Sequence, residues 1–128
     1  REMGQQITMD LPDSEIWINA DPHQLGRVFN NLFKNALQAI PDNRVAQVKV
    51  LAEIKDAKVV IQVVDNGKGI PKELYKKIFS PNFSTKNSGM GLGLAISKKI
   101  VNQFGGTITF NSTMDVGTTF TLSFPLLK

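Results

Sequence analysis

Asn31 and Asn35 stand four positions apart in the run NNLFKNALQAI, a spacing that sets both amides on one face of a helix. Gln38 falls on the same flank, beside the apolar stripe. A row of amides along a core boundary is unfavourable unless each group finds a partner. Such a row either caps neighbouring loops, stands exposed, or offers amide oxygens to a hard cation. Mg²⁺ accepts few protein ligands and shares its shell with phosphate and water. Asp65 ends the apolar run VVIQVV and opens Asn66-Gly67-Lys68-Gly69-Ile70. It is either a turn former or a buried carboxylate that accepts a hydrogen bond from an exocyclic amine. In the second case Gly67 and Gly69 leave room for a flat ring against the backbone.

Two further stretches belong with these. In FSPNFSTK, Phe79 and Phe83 bracket Pro81 and can anchor a mobile loop at its root, with Thr85 and Lys86 at its far end. Read alone, Lys86 is a solvated loop lysine. Gly89, Gly91 and Gly93 then alternate with Met90 and Leu92 at the front of a strong helix former. Glycine weakens a helix interior by roughly 1 kcal/mol relative to alanine, so this backbone is either approached closely or free to move. Unpaired N–H groups and the dipole at a helix start favour anions. The spacing is not that of the phosphate loop GxxxxGK[ST], and the strand–loop–helix setting of a dinucleotide fingerprint is missing. An amine acceptor, ring walls, cation ligands and a phosphate cradle with a nearby lysine are together the parts of an ATP·Mg²⁺ site.

Positioning these groups falls to a short list of elements. Residues 6–10 and 15–19 read as strands around the turn Pro12-Asp13. Asp21 is an N-cap with Pro22 at the first helical position, and Leu25, Val28, Phe29, Leu32, Phe33, Ala36 and Ile40 recur at helical spacing until Pro41. Residues 45–54 and 58–65 form a hairpin through KDAK, its second strand central and apolar on both faces. Residues 72–78 read as a short helix after Pro71 and 80–90 as a long loop of the kind that often serves as a functional lid. Residues 91–104 form a helix closed by Gly105-Gly106, and 107–112 and 118–124 are strands. Helices mixed with sequential strands predict an α+β two-layer sandwich, a mixed and mostly antiparallel sheet with helices on one face.

Composition narrows the chemistry. The 128 residues, 41% hydrophobic and 20% charged, are the size and balance of one soluble domain, residues 1–128. There is no cysteine, which excludes thiol nucleophiles and disulfides, and His23 is the single histidine. No apolar run approaches the ~20 residues of a membrane span, so no membrane contact is expected of this domain. The net charge of +4 suits a small polyanion. The lysines are scattered and arginine is rare, so no nucleic-acid partner is expected.

Taken in order, the four stretches resemble the motifs of the catalytic, ATP-binding domain of sensor histidine kinases, over about Gln5 to Leu126. NNLFKNALQA is similar to the asparagine box, DNGKGI to the first glycine box, FSPNFSTK to the phenylalanine box, and GMGLGLAISKKIVNQFGGTI to the second glycine box. GTTFTLSFP resembles the family's terminal strand. The resemblance implies a Bergerat sandwich with residues 79–90 as the ATP lid. It implies that Asn35 and Asn31 bind Mg²⁺ with phosphate oxygens, and that Asp65 accepts from the adenine amino group. Gly67, Gly69, Ile70, Ala39, Ile78 and Leu94 would line the adenine pocket, and Thr118 would reach the adenine edge, through water or directly. Backbone N–H groups from Gly91 through Leu92 and Gly93 to Leu94 would meet the phosphates, with Gly89, Thr85 and Lys86 on the lid. Gln38 stands where many members carry a lysine near the phosphates.

Hydrolysing relatives of the same fold carry a glutamate one turn before the metal-binding asparagine, where it activates water. Here that position is Asn31, an amide with no useful basicity, which suits a kinase that must not waste ATP. Asn31 and Lys86 are therefore the expected catalytic residues. His23, at the helix start, is an exposed residue and not the phosphoacceptor. The resemblance puts that histidine on a separate dimerisation domain N-terminal to this segment, with a response regulator downstream. It implies a cytoplasmic domain whose parent is either soluble or anchored in the bacterial inner membrane. A nucleotide-sensing module without transfer and a serine kinase of the anti-sigma type are the alternatives.

Overall fold

A computed structural model describes residues 5–10, 21–80 and 90–126. Its elements are β1 (Gln5–Asp10), α1 (Pro22–Gln38), β2 (Ala46–Lys55), β3 (Lys58–Asp65), α2 (Met90–Gln103), β4 (Thr107–Thr113) and β5 (Gly117–Pro125). The expected strand over 15–19 and most of the 79–90 loop lie outside the described residues.

The described strands form one sheet in the order β1-β2-β3-β5-β4. β1 runs parallel to β2 and the other pairings are antiparallel. The mixed, mostly antiparallel sheet is as expected, and β3 is central. Asp56 and Ala57, both at positive φ, make the two-residue turn between β2 and β3. That backbone twist matches the twist of paired strands.

The helices cover one face. Asp21 caps α1, its carboxylate accepting from His23 N at 2.9 Å, with Pro22 in the first turn. Val28, Leu32, Asn35 and Ala36 are its buried residues, one stripe at helical period. Gly105 N–H donates to the Asn102 carbonyl at 3.1 Å and Gly106 N–H to the Val101 carbonyl at 3.0 Å. This is the Schellman ending expected of Gly105-Gly106, with Gly105 at φ +78°.

Strand register stacks the helix-facing side chains in rows. Ala52, Ile61, Leu122 and Ile108 make one row, and Val50, Val63, Phe120 and Phe110 the next. Leu32, Ala36, Leu94, Ile100 and Val101 close over them from the helices. On the opposite face Val60 and Val64 are only half-buried, so the apolar second face of β3 is not fully covered.

The helix expected over 72–78 is reduced to a single 3₁₀ turn, Lys72–Leu74, followed by more turns. The bonds run from residue i to i+3 throughout: Leu74 N to Pro71 O, Tyr75 N to Lys72 O, Lys77 N to Leu74 O and Ser80 N to Lys77 O. Aromatic packing accounts for the tighter winding. Tyr75 meets Phe110 edge-on at 4.9 Å, and Phe79 meets Phe110 and Phe120 at 6.0 and 6.4 Å. The segment is thereby wrapped around the end of β4 and β5.

Candidate nucleotide site

One row beyond the phenylalanines, the same sheet face turns polar. Val48, Asp65, Thr118 and Ser112 are register partners across β2, β3, β5 and β4. Asp65 is 7% exposed and Thr118 4%. Gly67 N–H donates to Asp65 Oδ1 at 2.8 Å and Thr118 N–H to the same oxygen at 3.2 Å. Among the described residues nothing donates to Oδ2. Burial pushes the Asp65 carboxyl above the usual aspartate value, and the two backbone donors pull it part of the way back. A carboxylate held rigidly by one oxygen, with the other uncommitted, is an acceptor waiting for a donor.

The glycines beside it are also required by packing. A Cβ on Gly67 would lie 2.8 Å from the Ala39 Cβ and carbonyl oxygen, and one on Gly69 would lie 2.6 Å from the Thr113 carbonyl. Gly69 also has φ +84°. At both glycines the direction a Cβ would take is filled by the chain itself, the end of α1 or the β4–β5 turn. Ala39 marks the end of α1, and its carbonyl accepts from Lys68 N–H at 3.0 Å. Ile70 is buried, while Ile78 and Leu94 lie inside the core at 1% and 0% exposure, beneath the site.

Four contributors were not singled out by the sequence reading. Arg44 Nη1 donates to the Asn66 and Gly67 carbonyls, the second at 3.1 Å. The Asn66 side chain accepts from Gln47 N–H and donates to the Val45 carbonyl, both at 2.9 Å. Together they pin the turn after Asp65 to the start of β2. Gly117 brings β5 so close to Asp65 that any Cβ would meet its carbonyl. Ser112 Oγ accepts from Ile70 N–H at 2.7 Å and lies 2.9 Å from Thr118 Oγ1. Ser112 and Thr118 had a signal, as the polar ends of the alternations Ile108-Phe110 and Leu122-Phe120.

On α1, Asn35 is 5% exposed and its Nδ2 has no partner among the described residues. A buried amide left so costs about 1–3 kcal/mol. One turn earlier, Asn31 Nδ2 donates to the Gly93 carbonyl at 3.4 Å and reaches Ser97 Oγ at 3.5 Å. A Cβ on Gly93 would approach Asn31 to 3.3 Å, so this glycine admits Asn31 against α2. Gln38, further along the same flank, is exposed. Gly91 and Leu92 lie in the first turn of α2. Thr85, Lys86 and Gly89 lie outside the described residues. Phe79 packs against Phe110 and Phe120, with Lys98 Nζ 5.1 Å from its ring centroid, while Phe83 lies outside the described residues.

Comparison with known proteins bears on the family and the fold. Residues 20–128 match the family model described as histidine kinase-, DNA gyrase B-, and HSP90-like ATPase. The sensor histidine kinase ZraS of Escherichia coli strain K12 is 47% identical over 94% of this chain, which spans 26% of that protein. The histidine-protein kinase AtoS of the same organism is 43% identical over 85% of the chain and 18% of its own length. The chain thus spans about a quarter or less of these relatives. The nucleotide-free catalytic domain of histidine kinase ThkA superposes with a TM-score of 0.83 at 34% identity, covering 97% of this chain and 80% of that one. Full-length ShkA in complex with AMPPNP gives a TM-score of 0.82 at 25% identity, covering 98% of this chain and 26% of that one. The chain belongs to the histidine kinase-, DNA gyrase B- and HSP90-like ATPase family, within which it is the ATP-binding catalytic domain of a sensor histidine kinase.

Proposed function

We propose that this domain binds ATP·Mg²⁺, reads the adenine with Asp65, and donates the γ-phosphate to a histidine on a dimerisation domain of its parent. A response regulator would receive the phosphoryl group in turn. The observation that carries the reading is the buried Asp65 carboxylate, fixed through one oxygen and open at the other. Adenine offers an N–H there. Guanine offers a carbonyl, and two buried acceptors facing each other are strongly disfavoured. Ile70 and Ala39 would border the base, and Thr118 would contact its edge.

The orphaned Asn35 amide supports the metal assignment. A half-turn of the side chain exchanges its nitrogen and oxygen, presenting an oxygen to a hard cation. Asn31, whose Nδ2 faces α2, would turn its oxygen to the same ion. When bound, Mg²⁺ would neutralise charge on the phosphate oxygens. The chain's own part is to hold the triphosphate, with N–H groups of Gly91, Leu92, Gly93 and Leu94 as donors and Lys86 and Thr85 at the far phosphate. The amide at Asn31 leaves water without a general base, so the phosphoryl group is kept for the histidine. A domain that spends ATP works on the cytoplasmic side, whether its parent is soluble or anchored in the inner membrane.

Calorimetry with ATP and GTP, with and without Mg²⁺, tests the reading. ATP should bind at least about a hundredfold more tightly than GTP, a discrimination typical of sites whose buried polar groups are left unpaired by the wrong ligand. Asn35→Ala should remove the gain in affinity that Mg²⁺ brings. Equal affinities for the two purines would remove Asp65 from its role. Nucleotide binding without phosphorylation of a histidine-bearing helical partner would mark a sensing module, and an acid-stable phosphoprotein would mark a serine kinase.

A further inference from the structure

Ser112 lies at the end of the polar row, beyond Thr118, where no ligand contact was expected of it. We propose that Ser112 fixes Thr118 as a hydrogen-bond donor towards the base, and so helps to select adenine over hypoxanthine and guanine. The inference rests on the reading of Asp65 and Thr118 as the base-contacting pair.

A hydroxyl has one proton and two lone pairs. Ser112 Oγ spends one lone pair on Ile70 N–H at 2.7 Å. Its proton has two acceptors in reach, Thr118 Oγ1 at 2.9 Å and the Gly117 carbonyl at 3.3 Å. Either hydroxyl can supply the proton of the 2.9 Å contact. With an acceptor at the base edge, Thr118 gives its own proton there, and Ser112 gives its proton to Thr118 Oγ1, nearer than the Gly117 carbonyl. The strand bearing Ser112 is itself held, because Tyr75 Oη donates to the Ser112 carbonyl at 3.1 Å. The chain of bonds runs from the Ile70 amide through Ser112 to Thr118, each link polarising the next.

The result is an acceptor on Asp65 beside a donor on Thr118, on directly paired residues of β3 and β5. Adenine carries the complement, an N6 donor next to the N1 acceptor. Hypoxanthine and guanine reverse both, with an O6 acceptor next to an N1–H donor. Asp65 and Thr118 are both nearly buried, so a reversed partner leaves both groups unpaired where water cannot compensate. The selection needs a direct contact to N1, because a bridging water can donate to N1 while either accepting from or donating to Thr118.

Calorimetry with ATP and with 1-deaza-ATP, in which a C–H replaces N1, isolates the Thr118 contact. The unmodified protein should prefer ATP by about tenfold, the size of one hydrogen bond. Ser112→Ala should weaken ATP while leaving 1-deaza-ATP nearly unchanged, so that the preference falls at least about threefold. Ser112→Thr should retain the preference. If the unmodified protein binds ATP and its 1-deaza analogue equally, or if Ser112→Ala weakens both alike, the inference is overturned while the ATP site stands. If the unmodified protein binds no ATP, the reading beneath it falls as well. Should Ser112→Ala not fold, Ser112→Cys, with its weak donor, carries the same comparison.

Discussion

Two neighbouring rows of one sheet face do opposite work. Val50, Val63, Phe120 and Phe110 form the last apolar row, and Val48, Asp65, Thr118 and Ser112 the first polar one. The strands, the register and the face are shared, and only two residues along each strand separate them. In the apolar row, Phe120 and Phe110 stack at 5.9 Å and Phe79 closes on both. In the polar row Asp65 is tied to the backbone of Gly67 and Thr118, Ser112 to that of Ile70, and Thr118 Oγ1 to Ser112 Oγ. The lesson is that the polar row needs the apolar one as its foundation. Its groups are buried and directional, and the close-packed aromatic row beside them gives the strands that carry them a firm base.

The largest test of that division is Phe120→Ala, which should cost about 3–5 kcal/mol of stability as a cavity opens. Urea unfolding of the free domain measures it. The same loss of ATP affinity without a loss of stability would erase the distinction between the rows. Asp65→Ala should do the reverse, reducing ATP affinity by at least about a hundredfold, or roughly 2.7 kcal/mol. The variant should remain a folded domain by circular dichroism, since it also removes a desolvated charge.

Gly67→Ala sharpens the boundary between the two roles. If packing against Ala39 is why this residue is glycine, the substitution should destabilise the fold by about 1–3 kcal/mol through overpacking. A drop in nucleotide affinity with an unchanged unfolding midpoint would restore the ring-approach explanation. The smallest effect is that of pH. The Asp65 carboxyl is raised in the folded state, so the native protein holds a proton that the unfolded chain has released. Stability therefore falls as pH rises from the ordinary aspartate value through the raised one, and ATP affinity rises over the same window as the acceptor ionises. Asp65→Asn should flatten both trends in parallel titrations by denaturation and calorimetry.

Much of this was legible because local chemistry and tertiary placement coincide. Asp21-Pro22 starts α1 and Gly105-Gly106 ends α2 with the caps that those residues favour. Asn31 and Asn35 do lie on one buried flank, and Asp65 does end the central strand. The 72–78 segment was misread because Leu74, Tyr75, Ile78 and Phe79 have helical spacing, while the contacts that decide its winding come from Phe110 and Phe120, more than thirty residues away in sequence. Arg44 and Asn66 were invisible for a related reason. Each lies in an irregular turn without periodicity, and its partners are backbone carbonyls and amides brought near by the β2–β3 pairing. Gly67 was seen, but its close packing on Ala39 was not, because Ala39 belongs to another element.

The bond from Lys68 N–H to the Ala39 carbonyl has a consequence at larger scale. It fastens the last turn of the asparagine helix to the loop that follows the strand-end acid. Asn35 sits one turn from that fastening and Asp65 three residues from it. The gap between the groups proposed for the metal and for the base is thereby set like the opening of a caliper, by a screw that touches neither jaw. Loosening that screw would blur the molecule's measure of how far a purine stands from its phosphates, even with every contact residue intact.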